Sequence, residues 1–332
     1  MQESASQFDS VRPRPKGGSM AEIFLTPMRT QRTHLHVCGR EVITRGRFVK
    51  VASLDGEKYL FLDDPKPVIE GVRASGIRAN LFTFLQRLPD PSPKFSYAFE
   101  MDNLAAMPVT SFDDWWNNQI RSYARNRARQ AEKRGVTLRQ IPFDDETVRG
   151  IWEIYNECSV RQGKAFPHYG TDLETVRKIK ATFLEASIFI GAFFENKMIG
   201  FAKLVADQTG TQANLMHILS LVSHKEKAPT NALIGESVRV CAERGIKYLV
   251  YQNFAYGNKQ GDGLSKFKEE NGFQRFDVPR YYIPLNRWGA VALSAKLHLP
   301  LADRLPPHLA TSLRNFRSAW YRKKSLTKTG TV

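Results

Sequence analysis

The sequence predicts an α/β protein: a mixed β-sheet with helices on both faces, preceded by a smaller α+β region. Three observations lead there. Residues 187–222 read as three apolar strands joined by the tight turns Glu195-Asn196-Lys197 and Asp207 to Thr211. Residues 231–284 then alternate helix, strand, helix and strand. Residues 34–62 break into short alternating runs separated by Gly39, Gly46 and Asp55-Gly56, which is hairpin chemistry.

Taken in order, His34 to Leu62 gives strands, Pro67 to Ser75 a short helix, and Phe95 to Met101 another strand. Asp113 is placed to cap one long helix through Trp115, Trp116 and a basic stretch to Lys133, stopped by Gly135. A strand from Val136 to Ile141 follows, then a helix from Asp145 to Gln162 with Val148, Ile151, Trp152 and Tyr155 at helical spacing. Thr171 or Asp172 caps a helix to Leu184, and the strands Ser187–Phe194, Met198–Ala206 and Ala213–Val222 come next. A helix from Asn231 to Arg244 ends at Gly245; strand Ile246–Asn253, helix Asp262–Asn271 and a strand to Pro284 complete the pattern. Beyond it, Leu313 to Lys324 mixes basic and aromatic residues in an amphipathic tail suited to an anionic membrane face or to tRNA.

The 332 residues are 42% hydrophobic and 25% charged, which supports a buried core and excludes general disorder. Lys and Arg number 49 against 33 acids, a net charge of +16 that favours an anionic partner. Cys38, Cys158 and Cys241 are too scattered for a disulfide scaffold and fit a reducing cytoplasm. The longest apolar run, Ile188 to Phe194, falls far short of the roughly 20 residues of a membrane span. Residues 1–20 are polar and carry Pro13, Pro15, Gly17 and Gly18; a disordered leader is expected, with Met20 as an alternative start. His34 and His36 lack a third ligand nearby, so no metal site is expected. Phosphate-loop, dinucleotide-binding, zinc-protease and serine-elbow motifs are absent.

Several stretches together carry a resemblance. They are Tyr123 to Arg129 running on through Lys133-Arg134-Gly135-Val136, Arg161-Gln162-Gly163, the hairpin Phe193 to Gly200, and Lys266 to Phe273 with its closing Gly-Phe pair. Over residues 111–285 the chain resembles the GNAT superfamily of N-acyltransferases, and within it the Fem-type aminoacyl transferases. The resemblance implies a GNAT-like acyltransferase domain at 111–287, with residues 21–110 as a candidate degenerate half of the same fold and 288–332 as a basic amphipathic tail. It implies an activated donor, either acyl-coenzyme A or aminoacyl-tRNA, and an amine acceptor on a cell-envelope or polysaccharide precursor such as a nucleotide-sugar. No metal is implied.

The same resemblance assigns candidate residues. Donor contacts fall on the splayed strand at Leu219, Ser220 and Leu221 and on the loop and helix start at Lys225, Lys227, Thr230 and Asn231. The glycine-rich run usual in coenzyme A enzymes is replaced here by Lys225-Glu226-Lys227-Ala228-Pro229-Thr230, which favours aminoacyl-tRNA as donor. Lys268 stands where coenzyme A relatives place a tyrosine, and a cation there would stabilise an oxyanion. With Leu264 and Phe267 taken as the buried face, Lys268 belongs at its edge; the alternative is a lysine lying over apolar surface. His168 and Tyr256 complete the catalytic candidates, and His217 reads as a core histidine. Arg125 and Arg129, an i, i+4 pair, with Arg161 and Tyr169, are candidates for phosphate and acceptor binding; a solvated basic helix face is the alternative. A nucleic-acid or membrane-binding module on an inactive fold is the rival function, and an acetyl or acyl transferase using coenzyme A the rival within the class.

Overall fold

The computed structural model describes residues 34–161, 164–255 and 263–299. Residues 1–20, Gln162, Gly163, Tyr256 and the tail from Leu313 to Lys324 lie outside them.

The first part comprises β1 (His34–Val37), β2 (Arg40–Arg45), β3 (Val51–Leu54), α1 (Lys66–Ala74), β4 (Leu81–Leu85) and β5 (Ala98–Pro108). Strand β4, LFTFL, went unread in the sequence because five buried residues in a row show no alternation. Next come α2 (Phe112–Asp114), a π-helical turn at Trp115–Gln119, α3 (Ser122–Lys133), β6 (Thr137–Ile141) and α4 (Asp145–Asn156). The two-residue strands β7 (Val160–Arg161) and β8 (Lys164–Ala165) pair with each other, and α5 (Leu173–Lys180) follows. The order closes with β9 (Ser187–Phe194), β10 (Lys197–Ala206), β11 (Gln212–Ser220), α6 (Pro229–Glu243), β12 (Tyr248–Val250), α7 (Gly263–Glu270), β13 (Gln274–Pro284) and α8 (Arg287–Ser294).

Eleven strands form one sheet in the order β1-β2-β3-β4-β13-β5-β12-β11-β10-β9-β6. Its parallel pairs are β3 with β4 across α1 and β11 with β12 across α6, so the first part repeats the crossover of the second. On β10, Gly200 faces Leu233 of α6, whereas the ring of Phe201 meets Tyr155 of α4. Alternate residues of a strand point to opposite faces, so α6 and α4 cover opposite sides of the sheet.

The expected single helix from Asp113 to Lys133 is broken. Ser111, not Asp113, caps α2. The π turn then carries Trp115 fully into the core, where its indole Nε1–H donates to Asn271 O at 2.9 Å. Ile120 turns extended (ψ 134°) and buries before α3 restarts. That indole also explains the Gly-Phe pair. Gly272 has φ +93°, and a Cβ there would lie 3.1 Å from Trp115 Nε1, so only glycine fits without strain. Helix α4 ends at Asn156, short of the expected Gln162, because the chain must turn back into the β7–β8 hairpin.

Candidate active site

Strands β11 and β12 part company along their length. They pair over Gln212–Asn214 and Tyr248–Val250. Beyond Val250 the chain stays with β5, through Tyr251 N–H to Ala105 O at 2.7 Å and Ala105 N–H to Gln252 O at 2.8 Å. β11 instead stays with β10 out to Ser220, bent by a bulge at Met216 opposite Lys203 and Leu204. A wedge therefore opens between the strands. Among the described residues no strand pairs with Leu215–Ser220 on that side, which leaves the edge that carries Leu219 and Ser220 available to a ligand.

Helix α6 starts beside the wedge. It begins at Pro229 rather than Asn231, after Ala228 in the left-handed region (φ 56°), and no side chain caps it. Thr230 and Asn231, candidates for donor contacts, have partners within the protein. Thr230 Oγ1 lies 3.1 Å from Ser220 Oγ, tying the helix to the end of β11. Asn231 donates to Asn271 Oδ1 at 3.1 Å, tying it to α7. The α6 first turn thus keeps backbone N–H groups at the wedge.

Lys268 is fully buried, not at the edge of a buried face, and Leu264 is 39% exposed. The inner face of α7 is Ser265 and Lys268, continued by Asn271. The Lys268 ammonium donates to Asn253 O at 2.5 Å and lies 4.9 Å from the Tyr251 ring, which places it at the end of β12 on the wedge. Asn253 is itself held: its Nδ2 donates to Asp102 at 2.8 Å and its Oδ1 accepts from Lys58 at 2.7 Å. Asp102 accepts from Arg280, which also meets Glu57 at 2.7 Å. Burial weakens the Lys58 charge, an effect partly offset by Asp102.

The loop between β11 and α6 is latched from two sides. Glu157, just past α4, accepts from the N–H groups of Val222 at 2.6 Å and Ser223 at 2.8 Å. Burial raises its pKa, but the Ser223 and Val222 donors and Arg161 outweigh that and bring it below the usual range. Arg161 donates to Ser220 O at 2.7 Å and Ile154 O at 2.6 Å. Arg161, a candidate for acceptor binding from the sequence, is engaged here with the backbone carbonyls that hold this loop. From α3, Arg127 donates to Lys225 O at 3.0 Å and Arg134 to Glu226 O. Lys227 Nζ sits 3.8 Å from the Phe194 ring centroid. The basic helix and the basic loop therefore form one surface beside the wedge.

Arg125 and Arg129 do not stack. The Arg125 guanidinium folds back onto Asn117 O at 3.2 Å and Ile120 O at 3.1 Å, closing the π turn. Arg129 lies over the Trp116 ring at 5.4 Å and is otherwise exposed. Tyr169 is exposed, while His168 stacks on Tyr155 with ring centroids 4.5 Å apart. Burial, then Lys180, lowers the His168 pKa, so its imidazole is neutral near pH 7.

The sequence reading missed Lys180, Lys203, Glu157 and Asn253. For Lys203 a signal existed, since it is the sole charge between Lys197 and Ala206 in the run MIGFAKLVA. The other three lie in polar surroundings that hide them.

No family model and no curated protein sequence matches the chain. Solved structures do. The C-terminal domain of a putative lysylphosphatidylglycerol synthetase from Agrobacterium fabrum superposes with TM-score 0.51 at 15% identity, over 79% of this chain and 87% of that one. L-PGS from Bacillus licheniformis gives 0.52 at 14%, over 77% and 85%. FemX gives 0.51 at 11%, over 79% and 89%. The fold is GNAT-like and is shared with these three proteins. In the GNAT-like fold the wedge between β11 and β12, with α6 starting at its mouth, is the feature the sequence resemblance anticipated. Among the described residues no cluster of His, Cys, Asp and Glu could hold a metal, and no helix is long and apolar enough to cross a membrane.

Proposed function

We propose that the protein is an N-acyltransferase that moves an acyl or aminoacyl group from an activated donor to an amine, with the reaction centred on the β11–β12 wedge. The observation that carries this reading is the placement of Lys268, a fully buried cation at the end of β12 beside an open strand edge. The Asn253 carbonyl holds its ammonium group at the end of β12, and that place at the wedge suits it to a developing oxyanion.

The donor is aminoacyl-tRNA. Two features support this over coenzyme A. The loop before α6 lacks the glycines that let a pyrophosphate approach closely, with Pro229 removing one N–H outright. Arg127, Arg129, Arg134 and Lys225 spread positive charge well beyond a single pyrophosphate, as a nucleic-acid backbone requires. The acceptor is an amine on a cell-envelope or polysaccharide precursor, as the sequence resemblance to the Fem-type transferases implies.

In the reaction the acceptor amine, uncharged, attacks the donor carbonyl lying along the free edge of β11. Negative charge gathers on the carbonyl oxygen and then on the leaving ribose oxygen; Lys268 stabilises both and supplies hydrogen-bond donation to the latter. His168, held neutral, takes the proton from the amine, and as the ester C–O bond breaks the ribose oxygen takes up a proton relayed by water and leaves as the hydroxyl. Lys225, Lys227 and the α6 first turn bind donor phosphates.

Native mass spectrometry of the protein offered charged tRNA and acyl-coenzyme A separately tests this. A complex with charged tRNA that loses its aminoacyl group when an amine is added is the expected result. RNA binding with steep salt dependence and no aminoacyl loss would overturn the transferase reading.

A further inference from the structure

Lys180 is the last residue of α5, one turn after Val176 on the helix's buried face, and its exposure is 0%. Its ammonium group has no hydrogen-bond partner among the described residues. Two aromatic faces flank it instead, Tyr155 at 5.2 Å and Phe201 at 5.6 Å to the ring centroids. The titratable groups that face it are Tyr155 from α4, His168 from the loop after β8, Lys203 from β10 and His217 from β11. No carboxylate is among them.

Lys203 has a structural explanation. Its ammonium donates to Lys180 O at 2.7 Å and to Thr182 O, pinning the end of α5 to the sheet. Lys180 has none. A methionine would fill the same volume without the cost of burying an amine that bonds to nothing. The cluster also repels itself: burial and Lys203 push Lys180 down to about 6, and burial, then Lys180, Lys203 and His168, push His217 down to about 3. The missing component is a negative charge.

We infer that Lys180, with His168 and His217, forms a binding site for a carboxylate group. If the transferase reading holds, on which this extension rests, the acceptor amine carries that carboxylate. The location fits: His217 pairs with Lys203 in register and belongs to the β11 segment that borders the wedge. His168 and His217 are only partly buried, which gives a small anion a way in while Lys180 forms the floor. The chemistry favours a carboxylate over phosphate. One amine and two imidazoles between aromatic walls can satisfy a flat monoanion, whereas a dianion with three oxygens needs more donors.

Because the lysine is neutral at pH 7 when the site is empty, binding draws one proton onto it. Acetate affinity should therefore be higher below pH 6 than above pH 8, by about tenfold for each unit by which acetate raises the lysine's midpoint.

The test is NMR of wild-type protein carrying lysine labelled with ¹³C at Cε, the Lys180 signal being identified by its loss in Lys180→Met or Lys180→Arg. Its titration midpoint is measured in sodium chloride, acetate, glycine, glycinamide and inorganic phosphate at equal ionic strength. Acetate and glycine should raise the midpoint by a unit or more, with glycinamide and chloride leaving it in place. An unchanged midpoint in acetate overturns the site, and a larger rise in phosphate than in acetate overturns its assignment to a carboxylate. No donor or turnover enters the measurement. An enzyme that proves inactive with every donor would sink the transferase reading while the carboxylate site stands or falls on the titration alone.

Discussion

Lys268 donates to the backbone carbonyl of Asn253, and the Asn253 side chain is gripped in turn by Asp102 and Lys58 from the opposite end of the chain sequence. The charge proposed to act in the wedge is thus positioned by Lys58 and Asp102 from the first hundred or so residues, with Arg280 of β13 bridging Asp102 and Glu57. Burial alone would weaken the Arg280 charge, but Glu57 and Asp102 reverse that and keep it firmly protonated.

Asn253→Ala keeps the carbonyl that Lys268 uses but frees the loop that presents it. Turnover should fall by up to about 10²-fold, the penalty of a small misplacement, with donor KM little changed. A variant with wild-type kcat would show that the Asp102 and Lys58 contacts serve stability only.

Gly272→Ala places a methyl group 3.1 Å from Trp115 Nε1 at a φ of +93°. It should destabilise the fold by about 1–3 kcal/mol in urea denaturation. A change within about 0.5 kcal/mol, typical of an unremarkable surface substitution, would contradict the close approach.

The two central lysines set a pH dependence. Burial holds Lys203 down to about 8, and burial with Lys203 holds Lys180 down to about 6, both far under the unfolded value of 10.5. Folded protein therefore binds fewer protons than unfolded protein above pH 6. Stability should rise with pH, first as Lys180 and then as Lys203 loses its folded-state proton, until the unfolded lysines also deprotonate. The burial penalty is present in full below pH 6. Lys180→Met should be more stable than wild type near pH 6 and should flatten the lower part of the curve. Parallel stability curves for the two proteins would refute the buried amine.

Arg125 and Arg129 should separate cleanly. Arg125→Gln loses two carbonyl contacts that close the π turn and should cost about 1 kcal/mol of stability. Arg129→Gln should leave Tm unchanged and raise KM for charged tRNA at low salt, because it supplies binding rather than charge developed in the transition state. An unaltered KM would leave Arg129 as part of a solvated face.

What the sequence revealed follows from where its signals are local. The Glu195–Lys197 turn, the strands on either side of it and the final Gly-Phe pair were legible because tight turns and apolar runs are short-range features. The β4 strand was not, since a uniformly buried strand lacks a period. The break after Gln119 was hidden because it answers to Trp115 reaching Asn271, 156 residues away. Lys268 was a candidate from the sequence but was placed wrongly on its helix, because Leu264 looked like core and proved exposed. The partners that fix the site, such as Glu157 on the loop at Val222 and Asn253 on Lys268, join distant segments through polar atoms, and no periodicity records them.

The most direct measurement is single-turnover aminoacyl transfer from charged tRNA to an amine acceptor by wild type, Lys268→Met and Lys266→Met. Lys266 lies two residues away on the exposed face of α7, 4.0 Å from Glu270, and serves as the control. The account predicts a loss of about 10²–10³-fold for Lys268→Met, the cost of removing one oxyanion donor, with Lys266→Met near wild type and donor affinity unchanged in both. Equal rates for the two variants, with Lys268→Met folded as judged by its Tm, would contradict it.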